Sequence, residues 1–165
     1  SDNGGVDGTC PFRVACASPV VVWWCTDKLT AADRALNRLE PHKRPFHTII
    51  PAFVTKGGRP ALSFGVMGGD MQPQGHVQMV VRLYDYGQNP QAACDAPRWH
   101  IAEDGRISLE GGIPARVKDA LARRGHVIVD ENPYWGYGGA QLILKNGAAW
   151  CAASDPRKDG QAVAY

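Results

Sequence analysis

Two consecutive glycines, Gly68 and Gly69, are the residues whose type and position best suit a catalytic role. They follow a run of strand-forming residues, and a helical pattern begins directly after them. Glycine lets a chain turn sharply at the end of a strand and present its backbone N–H groups to a neighbouring atom. Such N–H groups can stabilise the negative charge that develops when an amide carbonyl is attacked. A tight structural connection would use the same pattern, so both interpretations stay open at this point.

The other residue types that commonly carry chemistry lack the spacing that a site needs. The five histidines form no ligand pattern such as HExxH, and the five cysteines include no CxxC pair. The odd number of cysteines does not favour a disulfide framework. The sequence therefore predicts no metal site and no cofactor. We expect Cys94 and Cys151, which fall inside apolar patterns, to be small buried hydrophobic residues.

Charged residues cluster at two places in the second half of the chain. Asp95 and Arg98 lie beside a short helical pattern and are predicted to form a structural ion pair. Asp155, Arg157 and Asp159 are expected to hold a loop in place. Most such groups are structural, so neither cluster is assigned a catalytic role.

The elements on either side of the glycine pair are predicted from periodicity and turn residues. They are strands over residues 48–55 and 61–67, a Gly-Gly turn at 57–58 between them, and a helix over residues 72–86. Gly87 is expected to end the helix. Apolar residues lie on more than one side of this helix, so we expect it to be buried between layers.

The rest of the second half continues with short elements. They are helices over residues 90–96 and 114–124, strands over 126–129 and 140–144, and hairpin turns at 104–105 and 146–147. The turns are Asp-Gly and Asn-Gly dipeptides, which suit positive φ at both central positions. Hairpins combined with packed helices predict an α+β fold with a mainly antiparallel sheet.

The first forty residues give different signals. Residues 1–8 are polar and glycine-rich, as expected of a loose terminus. Residues 20–24 predict a strand buried on both faces, and residues 27–39 predict an amphipathic helix. Neither segment contains a group with an evident chemical role.

Composition restricts the classes of partner. The net charge is +2 and the basic residues are scattered, which does not indicate nucleic-acid binding. No stretch approaches the ~18 apolar residues of a membrane span. We also predict no signal peptide in the apolar residues 15–25. Neither nucleic acid nor a membrane is therefore an expected partner.

Four segments resemble motifs of the γ-glutamyltransferase family, in the form seen in its bacterial γ-glutamyltransferase-like branch. They are the strand entry at 43–53, the glycine-pair segment at 63–76, the short helix ending in Asp-Ala-Pro-Arg at 91–99, and the C-terminal signature at 152–160. They occur in the family's order over about three quarters of the chain. The resemblance covers residues 43–165 and not residues 1–42.

The resemblance implies an N-terminal-nucleophile hydrolase with an αββα sandwich, of which this chain holds a partial set of small-subunit layers. It implies a large subunit cut from the same precursor as partner, and a γ-glutamyl or related acyl amide as small-molecule substrate. In the family, a threonine at the start of the small subunit is the nucleophile, and Thr9 is the residue that comes nearest to it. Gly68 and Gly69 match the oxyanion glycines. Phe46 and His47 occupy the place of a serine pair that contacts the substrate carboxylate.

Two functions remain open. The first is an enzyme subunit that hydrolyses or transfers γ-glutamyl groups from glutathione-type substrates, in the bacterial cytoplasm or periplasm. A related acylase is equally compatible with Phe46 and His47. The second is a non-catalytic fragment or pseudoenzyme that lacks the nucleophile. The unmatched segment favours a truncated or frame-altered start, with the family frame resumed near Asn37.

Overall fold

The computed structural model describes residues 41–42, 49–129 and 136–163, together with the backbone of residues 12–16. Strands β1 to β8 are Phe12–Cys16, Ala52–Lys56, Arg59–Met67, Trp99–Ile101, Ile107–Leu109, Ile128–Val129, Gly139–Asn146 and Ala149–Ser154. Helices α1 to α3 are Met71–Val80, Pro90–Asp95 and Ala115–Arg123. The elements expected within residues 1–8, 20–24 and 27–39 lie outside the described residues. Within those residues, no helix has the length and apolar character needed to cross a bilayer.

The strands form two sheets in the described part of the chain. The larger sheet is antiparallel throughout and has the order β1-β2-β3-β7-β8. The smaller sheet has the order β4-β5-β6, and β6 runs parallel to β5. The predicted α+β fold with a mainly antiparallel sheet is confirmed. Strand β3 is central in the larger sheet, so Gly68 and Gly69 follow a strand that neighbours hold on both sides.

Helix α1 covers one face of the larger sheet and forms the core with it. Val54, Leu62 and Val66 on that face are at most 1% exposed, and they share a core cluster with the strands and helix. Burial of side chains of this size stabilises a fold by about 1.5–3 kcal/mol each. The other flank of α1 meets β4 of the smaller sheet through Gln78. The prediction that this helix is buried between layers is confirmed for these two sides only, because Val77 of α1 is 56% exposed.

The opposite face of the larger sheet exposes apolar side chains. Phe53, Met67, Ile143 and Trp150 are between 39% and 56% exposed. Phe53, Met67 and Ile143 alternate along their strands with core residues, because successive side chains of a strand point to opposite faces. The larger sheet therefore has one packed face and one face with exposed apolar patches.

Strand β2 begins later than the sequence predicts. The predicted strand over residues 48–55 starts only at Ala52 and extends to Lys56. Pro51 has no N–H to donate to a neighbouring strand. The N–H of Ile50 donates to the side chain of Gln72 instead of to a strand.

The predicted long helix divides into two forms. Helix α1 ends at Val80, and residues Val81–Asp85 continue as a π-helical turn. Gly87 has a φ of 61° and ends the segment as predicted. Pro73 lies in the first turn of α1, where its missing N–H costs no helical hydrogen bond.

Other details of the prediction were wrong. In the hairpin turns at residues 104–105 and 146–147, φ is positive only at Gly105 and Gly147 and not at both central positions. The strand predicted over residues 126–129 is reduced to β6. Helix α3 has no buried residue, so it is not packed as expected. Cys94 is buried as predicted, whereas Cys151 is exposed because β8 is the edge strand of its sheet.

Candidate active site

The glycine pair forms a turn that joins β3 to helix α1. Gly68 has a φ of 130° and Gly69 a φ of 61°, values that L side chains rarely adopt. A Cβ on Gly68 would lie 2.9 Å from the Cα of Gly138, whereas a Cβ on Gly69 would meet no atom within 4 Å. Both backbone conformation and close approach therefore require glycine at Gly68, while conformation alone favours it at Gly69.

The carbonyls of the turn are engaged and its N–H groups are not. The N–H of Met71 donates to the carbonyl of Gly68 at 3.1 Å, and the N–H of Gln72 donates to that of Gly69 at 3.0 Å. Neither glycine N–H donates to any other residue in the described part of the chain. A turn of this kind presents hydrogen-bond donors without acceptors, which is the property that an oxyanion site requires.

Two polar side chains of α1 lie beside the turn. The N–H of Ile50 donates to Oε1 of Gln72 at 3.3 Å, and Nε2 of Gln72 donates to the carbonyl of Gly69 at 3.4 Å. The N–H of Val66 donates to Nε2 of His76 at 3.0 Å. Burial lowers the pKa of His76 to about 4, so its ring is neutral near pH 7. Neither side chain was among the site residues predicted from the sequence.

An open cleft of about 610 Å³ lies where Gln72 and His76 meet the larger sheet, and Gly68 and Gly69 are not among the residues that line it. Its walls come from the segment before β2, the end of β3, the start of β7 and the C-terminal tail. Polar groups are supplied by Ser63, Gln72, His76, Gln141 and Gln161, among otherwise apolar residues and glycines. No Asp, Glu, Lys or Arg of the described residues lines it.

The predicted ion pair between Asp95 and Arg98 was wrong. Arg98 pairs instead with Asp155, and both side chains are fully buried. Asp95 accepts a hydrogen bond from Gln91 on the surface of α2. The pairing across 57 positions of sequence depends on the fold, which brings the loop after β8 against the segment after α2.

The expected structural role of Asp155 and Arg157 is confirmed. Asp155 accepts hydrogen bonds from the N–H groups of Ala140 and Arg157 as well as from Arg98. Arg157 makes two charge-assisted hydrogen bonds of 2.6 Å to Glu110. The network joins the C-terminal loop to β5 and β7. The role of Glu110 was not predicted, because its partner lies 47 positions away.

Cys94 lies beside this network and is unsuited to nucleophilic chemistry. Burial raises the pKa of its thiol to about 11, with a smaller contribution from the charge of Asp155. The reactive thiolate is therefore scarce at neutral pH. The described residues also contain no cluster of three His, Cys, Asp or Glu side chains that could hold a metal ion.

The remaining predicted site residues are not placed by the structure. Phe46, His47 and Thr9 lie outside the described residues. Their assignment to substrate binding and nucleophilic attack stays a prediction.

Fold and turn together define a class of protein, the N-terminal-nucleophile hydrolases. The chain is similar to cephalosporin acylase from Bacillus halodurans, with a TM-score of 0.68 and 44% identity over 77% of this chain and 24% of that one. It is also similar to γ-glutamyltranspeptidase from Pseudomonas nitroreducens complexed with L-DON, with a TM-score of 0.65 and 29% identity over 78% of this chain and 68% of that one.

Within this class, the sequence identifies the family. A family model described as Gamma-glutamyltranspeptidase matches residues 23–165, so the chain belongs to the γ-glutamyltranspeptidase family. The resemblance drawn from the four motifs is thereby confirmed, and the match begins before the first of them. The Glutathione hydrolase-like YwrD proenzyme of Bacillus subtilis is 38% identical over 139 residues, which are 79% of this chain and 26% of that protein. The chain thus spans about a quarter of the length of this relative.

Proposed function

We propose that the chain is part of the small subunit of an amidohydrolase or acyltransferase that acts on γ-glutamyl amides of the glutathione type. The observation that carries the proposal is the turn at Gly68 and Gly69, whose N–H groups have no acceptor among the described residues. Family membership supports the same class of chemistry, since its members include glutathione hydrolase-like and acylase proteins.

The proposed reaction is acyl transfer through a covalent intermediate. A nucleophilic hydroxyl attacks the amide carbonyl, and a neighbouring amine accepts the hydroxyl proton. The N–H groups of Gly68 and Gly69 stabilise the oxyanion that forms, which is worth roughly 2.7–4 kcal/mol per donor in comparable sites. The C–N bond then breaks, and the amine leaves with the proton. Water or a second amine finally takes up the acyl group.

The partner in this proposal is the large subunit of the same precursor. Similar proteins are named as proenzymes, and the chain covers about a quarter of their length. The exposed apolar side chains of the larger sheet, among them Phe53, Met67 and Ile143, provide a surface for the missing layers. No charged residue of the described part of the chain lines the cleft beside them, as expected of a surface that packs against another sheet.

The acyl group is the less defined half of the substrate. The γ-glutamyl assignment depends on the family, whereas Phe46 and His47 replace a serine pair and are compatible with a different acid. The solved structure at 44% identity is a cephalosporin acylase. A related acylase is therefore the alternative, and the two differ in the acyl group that they accept.

Strand β1 bears on the choice of nucleophile. Phe12 pairs with Lys56, at the end of the sheet where β3 begins. The nine residues of β3 lead from there to Met67 and cover about 26 Å at ~3.3 Å per residue. Thr9 is three residues from Phe12 and can reach at most about 11 Å from it. This geometry favours a nucleophile from another segment, and it keeps the non-catalytic alternative open.

The experiment is chromophore release from a γ-glutamyl anilide by the purified chain, alone and co-expressed with a large-subunit region. Turnover by the co-expressed preparation is expected. Its loss in a Thr9→Ala variant would locate the nucleophile there, contrary to the position of β1. A complex that forms but gives no turnover with either a γ-glutamyl or a non-amino-acid acyl anilide would establish the non-catalytic alternative.

A further inference from the structure

Strands β2 and β3 separate just before the glycine turn. Ala52 pairs with Phe64 and Val54 with Leu62, so Ile50 and Val66 are the next two residues in the same register. They do not pair with each other. Two side chains of α1 stand in for the missing strand contacts: Gln72 accepts the N–H of Ile50, and His76 accepts the N–H of Val66. We call Gln72 and His76 the polar wedge.

The wedge controls what lies beside the N–H of Gly68. Alternate N–H groups of a strand point to the same side. On the β2 side of β3, the N–H that follows those of Phe64 and Val66 along the chain is therefore that of Gly68. It donates to no other described residue. If β2 continued to pair beyond Ala52, its backbone would approach this N–H and occupy it.

The chemistry of His76 is unusual for a residue that only fills the core. It is 5% exposed, and its Nε2 accepts a hydrogen bond, so its proton is on Nδ1. Nδ1 is buried and has no partner among the described residues. An unpaired buried donor costs about 1–3 kcal/mol, but an apolar residue of similar shape would instead leave the buried N–H of Val66 without an acceptor. The ring is therefore best explained as the acceptor that replaces a β2 carbonyl at this position.

Close packing makes the wedge rigid. A Cβ on Gly75 would lie 2.5 Å from Cγ1 of Val66, so α1 lies against β3 with no spare room. The ring of His76 also meets Phe64 edge-on, with centroids 5.1 Å apart. The second wedge residue, Gln72, is tied to the turn itself through the carbonyl of Gly69. A shift of either side chain would therefore be transmitted to the turn.

We propose that Gln72 and His76 are positioning residues of the acyl-transfer site, which hold β2 away from β3 and so keep the N–H of Gly68 free for the oxyanion. This inference rests on the proposed function for its catalytic consequence. The separation of the strands by the wedge is a geometric statement that can be tested without turnover.

The test compares His76→Phe, which keeps a planar ring but no acceptor, with His76→Gln, which restores an acceptor. The exposed His126→Phe is the matched control, and Gln72→Leu removes the acceptor of the second wedge residue. Amide hydrogen exchange and amide chemical shifts are measured by NMR on the 15N-labelled chain in the co-expressed preparation, because the chain alone is expected to self-associate. Turnover of a γ-glutamyl anilide is measured on the co-expressed preparation.

In His76→Phe, the amide of Val66 is expected to exchange at least about tenfold faster, and the amide signal of Gly68 to move. His76→Gln should bring the exchange rate of the Val66 amide and the signal of the Gly68 amide back towards those of the unmodified chain. His126→Phe should change neither the rate nor the signal. Where turnover exists, His76→Phe should lower kcat about tenfold or more with KM unchanged. This pattern distinguishes positioning from general loss of stability, which the acceptor in His76→Gln would not repair selectively.

Two results would overturn the inference. The first is unchanged amides of Val66 and Gly68 in folded His76→Phe, and the second is a His76→Gln variant that resembles His76→Phe in all readouts. If His76→Phe does not fold, the signal of Gly68 in Gln72→Leu and His76→Gln decides in the same way. Absence of turnover in the unmodified preparation, together with responsive amides, would instead contradict the proposed function and leave the wedge established.

Discussion

At the scale of single residues, Gly68 and Gly69 differ in what they tolerate. Gly68→Ala is expected to destabilise the fold by about 3 kcal/mol, since it combines backbone strain with a clash against Gly138. Gly69→Ala adds a Cβ in open space and should cost about 1 kcal/mol of left-handed strain. Gly57→Ala, in the β2–β3 hairpin with φ 57°, is the matched control with the same strain. Urea unfolding measures all three.

Gly69→Ala and Gly57→Ala, which should have similar effects on stability, are expected to differ in catalytic activity. A displacement on the order of 1 Å at a catalytic group can cost up to about a hundredfold in rate. Gly69→Ala is therefore expected to lower turnover in the co-expressed preparation by roughly tenfold, whereas Gly57→Ala should retain it. Equal activity in the two variants would contradict the oxyanion role of the turn.

The buried pair of Arg98 and Asp155 predicts a large effect of a small change. Asp155→Asn keeps the shape but leaves the Arg98 charge uncompensated, so unfolding free energy should fall by about 3–5 kcal/mol. Asp104→Asn, at an exposed pair with Arg106, should change little. Denaturant unfolding of both variants beside the unmodified chain checks the difference, and a near-neutral Asp155→Asn would contradict it.

The stability of the fold at low pH should also depend on the carboxylate of Asp155. Burial raises the pKa of Asp155, but the N–H of Ala140 and the charge of Arg98 outweigh it, so its pKa lies below the ordinary value. Its stabilising contribution is therefore present above the unfolded-state pKa of about 4 and is lost as the pH falls through the lower folded-state pKa. Unfolding midpoints measured below pH 4 should fall steeply in the unmodified chain and less steeply in Asp155→Asn.

The buried ring of His76 leads us to expect a second pH range, above that of Asp155, in which the stability of the fold changes. Its pKa is about 4 in the folded chain, because burial disfavours the charged ring, against about 6.5 when unfolded. The unfolded state then binds the extra proton first, so stability falls as the pH drops from about 6.5 to 4. Thermal unfolding across this range should show a smaller decrease in His76→Gln than in the unmodified chain. The exposed His126→Gln should leave the decrease unchanged.

At the scale of elements, glutamines on helices bind backbone groups of one edge strand in each sheet. Gln78 donates to the carbonyl of Trp99 at 2.9 Å and accepts its N–H at 3.1 Å. Gln74 binds both backbone groups of Ile101, and Gln91 binds those of Ser154. Each side chain thus replaces a missing strand neighbour. An edge satisfied in this way is no longer a template for another strand.

The contribution of each glutamine to the free energy of unfolding should depend on how well water can reach the backbone groups that it binds. Gln78 is 4% exposed, so Gln78→Leu leaves the backbone groups of Trp99 poorly hydrated and should cost about 1–3 kcal/mol. Gln74→Leu should cost less, because Ile101 is 42% exposed and water can replace the amide. The exposed Gln88→Leu serves as a control. Chemical denaturation of the three variants gives the order, and an equal cost at Gln74 and Gln78 would contradict it.

At the scale of the whole molecule, the exposed sheet face predicts self-association. Phe53 and Trp150 with Ile143 line an apolar hollow on that face. Contiguous apolar surface of this kind associates in water unless a partner covers it. The chain alone should therefore form oligomers or aggregates in analytical ultracentrifugation, and Ile143→Thr should reduce them. Val117→Thr, on the exposed helix α3, is the control, and a monodisperse monomer of the unmodified chain would contradict the prediction.

Local sequence patterns were sufficient to predict most of the helices and strands. The hairpin at Gly57-Gly58, the helix after the glycine pair, its end at Gly87 and the later hairpins were all predicted, because each depends on residues a few positions apart. The predictions that were wrong concern features that depend on residues far away in the sequence. The late start of β2 depends on Gln72, and the pairing of Arg98 with Asp155 depends on how the loop after β8 folds back.

The sequence by itself determined the family, the class of fold and the position of the glycine turn, since these depend on residue order and on the conformations that glycine allows. Only the tertiary structure decided that the N–H groups of the turn donate to no described residue, that Gln72 and His76 accept the N–H groups of Ile50 and Val66, and that one sheet face is left exposed. These properties arise where residues far apart in the chain meet, and there the requirement to satisfy buried polar groups selects partners that no local pattern reveals.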